Sequence, residues 1–336
     1  MSDRIPESPP VVYPIPDNTN RPLWSVMIPA YNCINYLRAT IESVLCQDQG
    51  EGLMQIEVVD DCSTDGDVAQ LVLETGKGRV AYFRQNENVG SLRNFETCLN
   101  RSRGIYIHLL HGDDLVLPGF YAEIKKLFDA FPEIGAAFTR YAYVNSEGKK
   151  THNGRLIQDF EGVVDNWLYK VASSHGLQPP AIVVKRSVYE QLGGFFAVHY
   201  GEDWEMWVRI AKHYPVAYSP KILAWYRVHP ANISSSFFRT GQSLEDVKKV
   251  IGLIAEMIPE QQRSQVVRAA KNHFSSYLAE KSVADFGRDK KKYMEFAYKV
   301  FRFDSNPRTF KAFGFLYLRY VYSLVKGSAR RLLKRQ

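Results

Sequence analysis

The sequence predicts an α/β fold, an open and mainly parallel sheet with helices on both faces, followed by a helical C-terminal extension. Three observations carry this. From Leu23 to about Asn145, short apolar runs alternate with apolar residues at helical spacing, and repeated β-α units of that kind build a parallel sheet. Each apolar run ends in polar residues at its C-terminal side: Tyr31-Asn32, Asp60-Asp61, Asn86 to Asn88 and Asp113-Asp114. From Ser243 onward the pattern is helical and lysine-rich.

The elements follow in order. WSVMIPA (24–30) reads as a strand, and INYLRATIESVLCQ (34–47) carries Leu37, Ile41, Val44 and Leu45 at helical spacing. QIEVVDD (55–61) is a second strand. DGDVAQLVLETG (65–76) is a second helix, with Ser63, Thr64 and Asp65 as candidate caps and Gly76 as its stop. RVAYFRQ (79–85) is a third strand, SLRNFETCLNRS (91–102) a third helix and GIYIHLL (104–110) a fourth strand. Helix 117–131 then precedes strand 134–144. The middle is mixed: a strand at 181–187, a short helix at 188–195, an amphipathic helix at 203–214, and one or two strands within 216–229.

Bulk composition narrows the class. The chain has 336 residues, 45% hydrophobic and 13% aromatic, which excludes a disordered chain. Cys33, Cys46, Cys62 and Cys98 show neither metal-ligand spacing nor a disulfide-dense pattern, as expected of reduced thiols in a cytoplasmic protein. The net charge of +7 is unevenly placed: residues 281–336 hold 15 Lys or Arg against 4 Asp or Glu, leaving 28 against 32 in 1–280. The basicity belongs to the tail, and a nucleic-acid platform in the main body is not expected. Residues 1–22 hold Pro6, Pro9, Pro10, Pro14, Pro16 and Pro22 and are expected to form a flexible arm rather than an export signal. The apolar stretch Ala312 to Val325 is interrupted by Arg319 and is shorter than the ~20 residues of a spanning helix.

In open α/β sheets, ligands bind outside the carboxyl ends of the strands, so four strands delivering polar groups to one rim point to a site. An N-cap or Asx-turn accounts for one Asp, but Asp113 and Asp114 are adjacent carboxylates that repel each other. A divalent cation removes that repulsion, since Mg²⁺ and Mn²⁺ take carboxylate oxygen and complete their coordination with phosphates.

SVMIPAYN, IEVVDDCSTD, NENVGSLRNF, GIYIHLLHGDD and GEDWEMWVRIA, in this order, resemble the family 2 glycosyltransferases of the GT-A fold over residues 24–235. The resemblance implies a nucleotide-binding half at 23–145 and an acceptor half at 146–240, with a helical basic region at 241–336. It implies that Pro29, Ala30, Tyr31, Asp60 and Asp61 line the base pocket with Arg93 near it. It assigns Asp113 to the sugar and Asp114 to the cation. Two positions before Asp113 the family usually has another Asp; here His111 stands there, an imidazole that suits Mn²⁺ better than Mg²⁺. Asp203 is implied as the base that deprotonates an acceptor hydroxyl, with Glu202 beside it; an acid-decorated helix N-terminus is the plainer reading of that stretch. WYRVHPANIS (225–234) resembles the closing segment, with Arg227 and His229 meeting the diphosphate and His229 reaching the metal. His108, Trp204, Trp207 and Trp225 are read as structural.

The function implied is a metal-dependent inverting glycosyltransferase moving a sugar from a nucleoside diphosphate, uridine diphosphate first, to a glycan or lipid-linked glycan in cell-surface polysaccharide synthesis. The rivals are an inactive binding module of the same fold and a nucleotide-sugar pyrophosphorylase. The latter needs a glycine-rich phosphate loop after the first strand, where this chain has Pro29-Ala30-Tyr31-Asn32. The stretch 309–336 combines aromatic residues with a basic end, and two readings stay open: an interfacial contact with anionic lipid on the inner face of the cell membrane, or a core helix with a solvated end.

Overall fold

The computed structural model describes residues 4–16, 19–230, 232 and 240–333, with side chains as far as 326. It divides into two compact units, Met1–Val171 with His175–Ser236, and Ala172–Ser174 with Phe237–Gln336.

The first unit is built on one sheet. Strand β1 (Trp24–Ala30) is buried along its whole length, as expected of a parallel strand covered on both faces. It pairs in parallel with β2 (Met54–Asp60) on one side and β4 (Tyr106–Leu109) on the other, and β2 pairs in parallel with β3 (Ala81–Arg84). Beyond β4 the sheet reverses twice. β9 (Ile182–Lys185) is antiparallel to both β4 and β6 (Ala136–Val144), which restores the original direction for β6 and its parallel neighbour β10 (Val216–Arg227). The order is β3-β2-β1-β4-β9-β6-β10-β5, where β5 is Leu115–Val116; β7 (Lys150–Asn153) and β8 (Gly162–Val163) add to β6 and β10. β10 is a single strand whose register shifts between Ser219 and Ala224, around Pro220, which cannot donate to a ladder.

Helices α1 (Ile34–Leu45), α2 (Val68–Gly76), α3 (Ser91–Arg101) and α4 (Phe120–Ala130) connect the early strands. The cap of α2 is Asp67, whose side chain accepts from Gln70 N at 2.9 Å. The sequence offered Ser63, Thr64 or Asp65, but Ser63 is bonded to Asp60, and Asp65 accepts from Ile34 N at 2.9 Å, the first amide of α1. Helices α5 (Trp167–Ser173), α6 (Arg186–Leu192) and α7 (Glu202–His213) follow. Trp204 and Trp207 are buried core residues, and His108 is buried between Tyr121 Oη and Pro180 O, each 3.1 Å away. Burial lowers the His108 pKa to about 3, so it is a neutral structural group.

The expected flexible arm is corrected for residues 4–16. Pro6 O and Pro10 O accept from Ala197 N at 2.9 Å and Gly194 N at 2.8 Å, and Val12 is buried. The side chain of Asn100 accepts from Tyr13 N at 3.0 Å and donates to Val11 O at 3.2 Å. Arg186, almost wholly buried, reaches Tyr13 O at 2.8 Å. Prolines stiffen this segment and leave its carbonyls available as acceptors, so it lies along the unit in a fixed path.

The second unit holds α8 (Gln242–Met257), α9 (Glu260–Asp285), α10 (Lys290–Phe303) and α11 (Pro307–Leu333). Leu244, Leu278, Tyr293, Phe296 and Leu316 form its core, with Phe313 and Tyr320 packed against it. Among the described residues, no helix is long and apolar enough to cross a membrane.

Candidate active site

Because β1 to β4 run parallel, their C-terminal ends share one rim, and the sheet order turns there from β1 to β4. Pro29 and Ala30 are buried at the end of β1, while Tyr31 is half exposed. Pro29 O accepts from Gly112 N at 3.0 Å and Ala30 O from Asp61 N at 2.8 Å, so the turns after β2 and β4 are both anchored to β1.

The two carboxylates after β2 differ in what they have left to offer. Asp60 is fully buried and accepts from Ser63 N, Ser63 Oγ, Tyr82 Oη and Arg84. A carboxylate has about four acceptor positions, so Asp60 is saturated by its own loop and by β3. Its bonds tie the loop after β2 together, so of the two carboxylates expected at the base pocket Asp61 has the acceptor position left. Asp61 accepts from Asn88 Nδ2 at 2.7 Å, Val89 N at 2.7 Å and Gly90 N at 2.9 Å, which leaves one position on Oδ1. Burial raises its pKa, and the two backbone N–H bonds pull it back. Arg93, in the first turn of α3, pairs with Glu96 at 2.7 Å.

The turn after β4 is held from several sides. Gly112 sits where a β-carbon would lie 2.8 Å from Cys33 Sγ and 3.2 Å from Pro29 O, so a side chain on the link between His111 and Asp113 would press on both. The Thr40 hydroxyl lies 3.0 Å from Gly112 O and 2.8 Å from Asp114 O. Leu115 and Val116, the apolar residues after the acidic pair, form the two-residue β5 against Trp225 and Ala224 of β10. That pairing places Arg227 on the turn: its backbone N donates to Asp114 Oδ1 at 2.8 Å and its Nε to Asp113 O at 2.8 Å. His229 Nε2 is 2.9 Å from Asp113 Oδ2, and Arg227 and His229 both lie against the Tyr36 ring, at 4.8 and 4.6 Å. Of residues 231–234 in the closing segment, only Asn232 falls within the described residues; it donates to Arg227 O at 3.0 Å.

The donor set fits a hard divalent cation. Ligand atoms of His111, Asp113 and Asp114 lie within 4.8 Å of one another. Asp114 is 1% exposed, and its Oδ2 is buried without a hydrogen-bond partner. Burial, and then Asp113, push its pKa well above the usual carboxylate range; a buried, unpartnered carboxylate oxygen is costly. Burial lowers the His111 pKa, so its imidazole is neutral and has a lone pair to give. The expected metal set was Asp114, His111 and His229. The structure instead groups Asp113 with the first two, and His229 stands on Asp113 from behind.

Asp203 lies in the first turn of α7, where the helix dipole favours acids. Its Oδ2 is 3.0 Å from His175 Nε2, and its Oδ1 accepts from its neighbour's backbone, Trp204 N, at 2.7 Å. Burial opposes its charge, but His175, the Trp204 N–H and His111 together outweigh burial and hold the carboxyl below its ordinary pKa. A small cavity is lined by Asp203, Glu202, His111, Phe95 and Trp207, and Phe95 stacks on His111 at 5.1 Å. So His111 from the β4 turn and the acids of α7 face one space. His175 lies in the half expected to meet the acceptor, and its pairing with Asp203 spans a chain separation with no motif to announce it.

The model of the family described as Glycosyl transferase family 2 matches residues 25–193. The chain belongs to this family. An uncharacterized protein of Mycobacterium tuberculosis is 27% identical over 70% of this chain and 76% of its own length. Among solved structures, Staphylococcus aureus TarS 1-349 in complex with UDP-GlcNAc superposes with a TM-score of 0.65 at 16% identity, covering 90% of this chain and 92% of that one. The mannosyltransferase PcManGT from Pyrobaculum calidifontis, in complex with GDP-Man and Mn²⁺, gives 0.56 at 20% identity, covering 95% and 83%. At these identities the two structures show the fold, the GT-A arrangement of a mostly parallel sheet flanked by helices.

The family 2 turn therefore holds, in the metal-free protein, a carboxyl whose charged form is opposed by burial and by Asp113. Asp114→Asn keeps an oxygen for Arg227 N and removes the repulsion with Asp113. It is expected to raise the melting temperature of metal-free protein, by about 2–4 °C for each kcal/mol relieved, and to abolish the further rise that Mn²⁺ gives the unaltered protein. Thermal denaturation of both forms with chelator and with Mn²⁺ checks this.

Proposed function

We propose that this family 2 glycosyltransferase is an inverting, cation-dependent enzyme that moves a sugar from a nucleoside diphosphate to a hydroxyl of a glycan or lipid-linked glycan in cell-surface polysaccharide synthesis. The observation that carries this reading is the single cavity shared by His111 and Asp203. It puts the cluster that would hold a cation and a charged base against one another's space.

Asp113, Asp114 and His111 would hold the cation, and the imidazole favours Mn²⁺ over Mg²⁺. When bound, the cation supplies positive charge to the departing diphosphate. The protein's own groups do the rest. Pro29, Ala30, Tyr31 and Asp61 seat the nucleoside on the rim, and Arg227 fixes the acidic turn. Asp203 accepts the proton of the acceptor hydroxyl while that oxygen forms its bond to the anomeric carbon. The bond from that carbon to the diphosphate oxygen breaks, and its electron pair leaves with the diphosphate. His175 orients Asp203 and stabilises its ionised form, and Glu202 lies beside it at the start of α7. A base in this position contributes about 10²–10⁴-fold, and positioning supplies much of the remainder. The UDP-GlcNAc and GDP-Man bound by TarS and PcManGT support a nucleotide-sugar donor.

The tail supports an interfacial membrane contact. On α11, Phe310, Tyr317, Leu318, Tyr322 and Val325 are exposed, while Ala312 and Leu316 on the opposite side are buried. Lys311 and Lys326 belong to the same helix, as anionic lipid would require. The basic end at 327–336 lies outside the described side chains.

Asp203→Asn is expected to reduce turnover by at least ~10²-fold with donor affinity nearly unchanged; normal turnover would remove Asp203 as the base. For His175→Gln, burial of Asp203 is opposed only by the Trp204 N–H and His111, so its pKa rises and the base is protonated at higher pH. The acid limb of the kcat/KM profile should move upward in pH, and an unmoved limb would separate the two residues. A Phe310→Ser, Leu318→Ser, Tyr322→Ser variant should lose co-flotation with anionic vesicles, and recovery equal to the unaltered chain would end the membrane reading.

A further inference from the structure

The described part of the N-terminal arm begins beside Asp61, the member of the Asp60-Asp61 pair that keeps an open acceptor position. Arg4 donates from its guanidinium to Asn88 Oδ1, and the same Asn88 donates to Asp61. A β-carbon at Gly90 would lie 3.1 Å from Arg4 Nε, so the guanidinium rests over the backbone whose N–H groups hold Asp61. Arg4 itself is exposed, and a guanidinium has five N–H donors, of which Asn88 occupies one.

The arm is built to hold this position. Gly193, at φ +76°, lets the chain turn where a side chain would meet Pro9 Cβ at 2.7 Å and Pro10 O at 2.9 Å. The next residue, Gly194, donates to Pro10 O, and Ala197 donates to Pro6 O two residues from Arg4. Asn100, near the far end of α3 from Gly90, clamps Val11 and Tyr13 through their backbone alone.

We propose that the arm is a strap that delivers Arg4 to the donor's base, restricting the donor to bases with a ring N–H beside a carbonyl. The proposal rests on the reading above that this rim seats a nucleoside diphosphate. The open position on Asp61 accepts the ring N–H, and Arg4 donates to the adjacent carbonyl oxygen. Uracil and thymine offer that pair at N3, and guanine offers it at N1 and O6. Cytosine and adenine put a bare ring nitrogen against Asp61, and on the side where uracil has O4 and guanine has O6 they carry an amino group, so with Arg4 on that side both contacts become repulsive. A site that reads a hydrogen-bond pair discriminates strongly because the wrong base leaves its polar groups unpaired.

The test is calorimetric titration of the full chain, with Mn²⁺, against UDP, GDP, CDP and ADP. UDP or GDP should bind at least about a hundredfold more tightly than CDP and ADP. Arg4→Ala should weaken the preferred nucleotide by about tenfold, the worth of one charge-assisted hydrogen bond, and should not weaken CDP, for which Arg4 makes no favourable contact. Asn100→Ala should weaken it in the same direction, and the double variant should lose no more than Arg4→Ala alone. Melting temperatures of the variants report whether the fold is retained. Equal affinity for UDP, GDP and CDP, an Arg4→Ala variant that binds as the unaltered chain does, or additive losses in the double variant would each overturn the strap. If the unaltered chain bound none of the four nucleotides, the seat for a nucleoside diphosphate would fall as well.

Discussion

The arrangement depends on two adjacent carboxylates held where one of them has no water and no complete set of partners. Asp113 keeps some exposure and leans on His229, whereas Asp114 is buried with one oxygen satisfied by Arg227 N and the other by nothing. Such a pair is stable only if its surroundings are rigid, because any relaxation would let Asp114 reach solvent. Rigidity comes from outside the turn: β1 through Pro29 O, α1 through Thr40, and β10 through Arg227. Each comes from a different layer of the fold. The sheet's double reversal at β9 brings β10 to this edge in the right direction, so topology and electrostatics serve the same end.

Much of this was legible in the sequence, for a definite reason. Parallel strands buried on both faces read as unbroken apolar runs, and polar residues at their ends mark the rim, so β1 to β4 and their polar ends stand out. The two-residue β5 did not, since Leu115-Val116 reads as strand or helix start until its partner on β10 is known. The cap of α2 also failed to read: Ser63 and Asp65 suit a cap equally well, but each is engaged with a residue distant from that helix.

The site shows the same boundary more sharply. Asp60 and Asp61 are chemically identical neighbours, and only a count of their donors separates the saturated one from the one with an acceptor position left. His175 carries no local signature, because its value lies in meeting Asp203 across the fold. The proline-rich arm was misread since composition reports stiffness and poverty of donors, not the presence of Asn100, Arg186 and Gly193 waiting to receive its carbonyls.

The crowding at Gly112 bears on how this enzyme family member can diversify. With Cys33 Sγ and the Pro29 carbonyl close by, a side chain at that position would have to displace both, so change in the turn is easier at its flanks. His111 is the flank with latitude, since its ring rests on Phe95 rather than on backbone. On the proposed reading that these residues hold a cation, metal preference is the trait most open to change, and a mutagenesis library aimed at a new cation has its natural starting point in the pair His111 and Phe95.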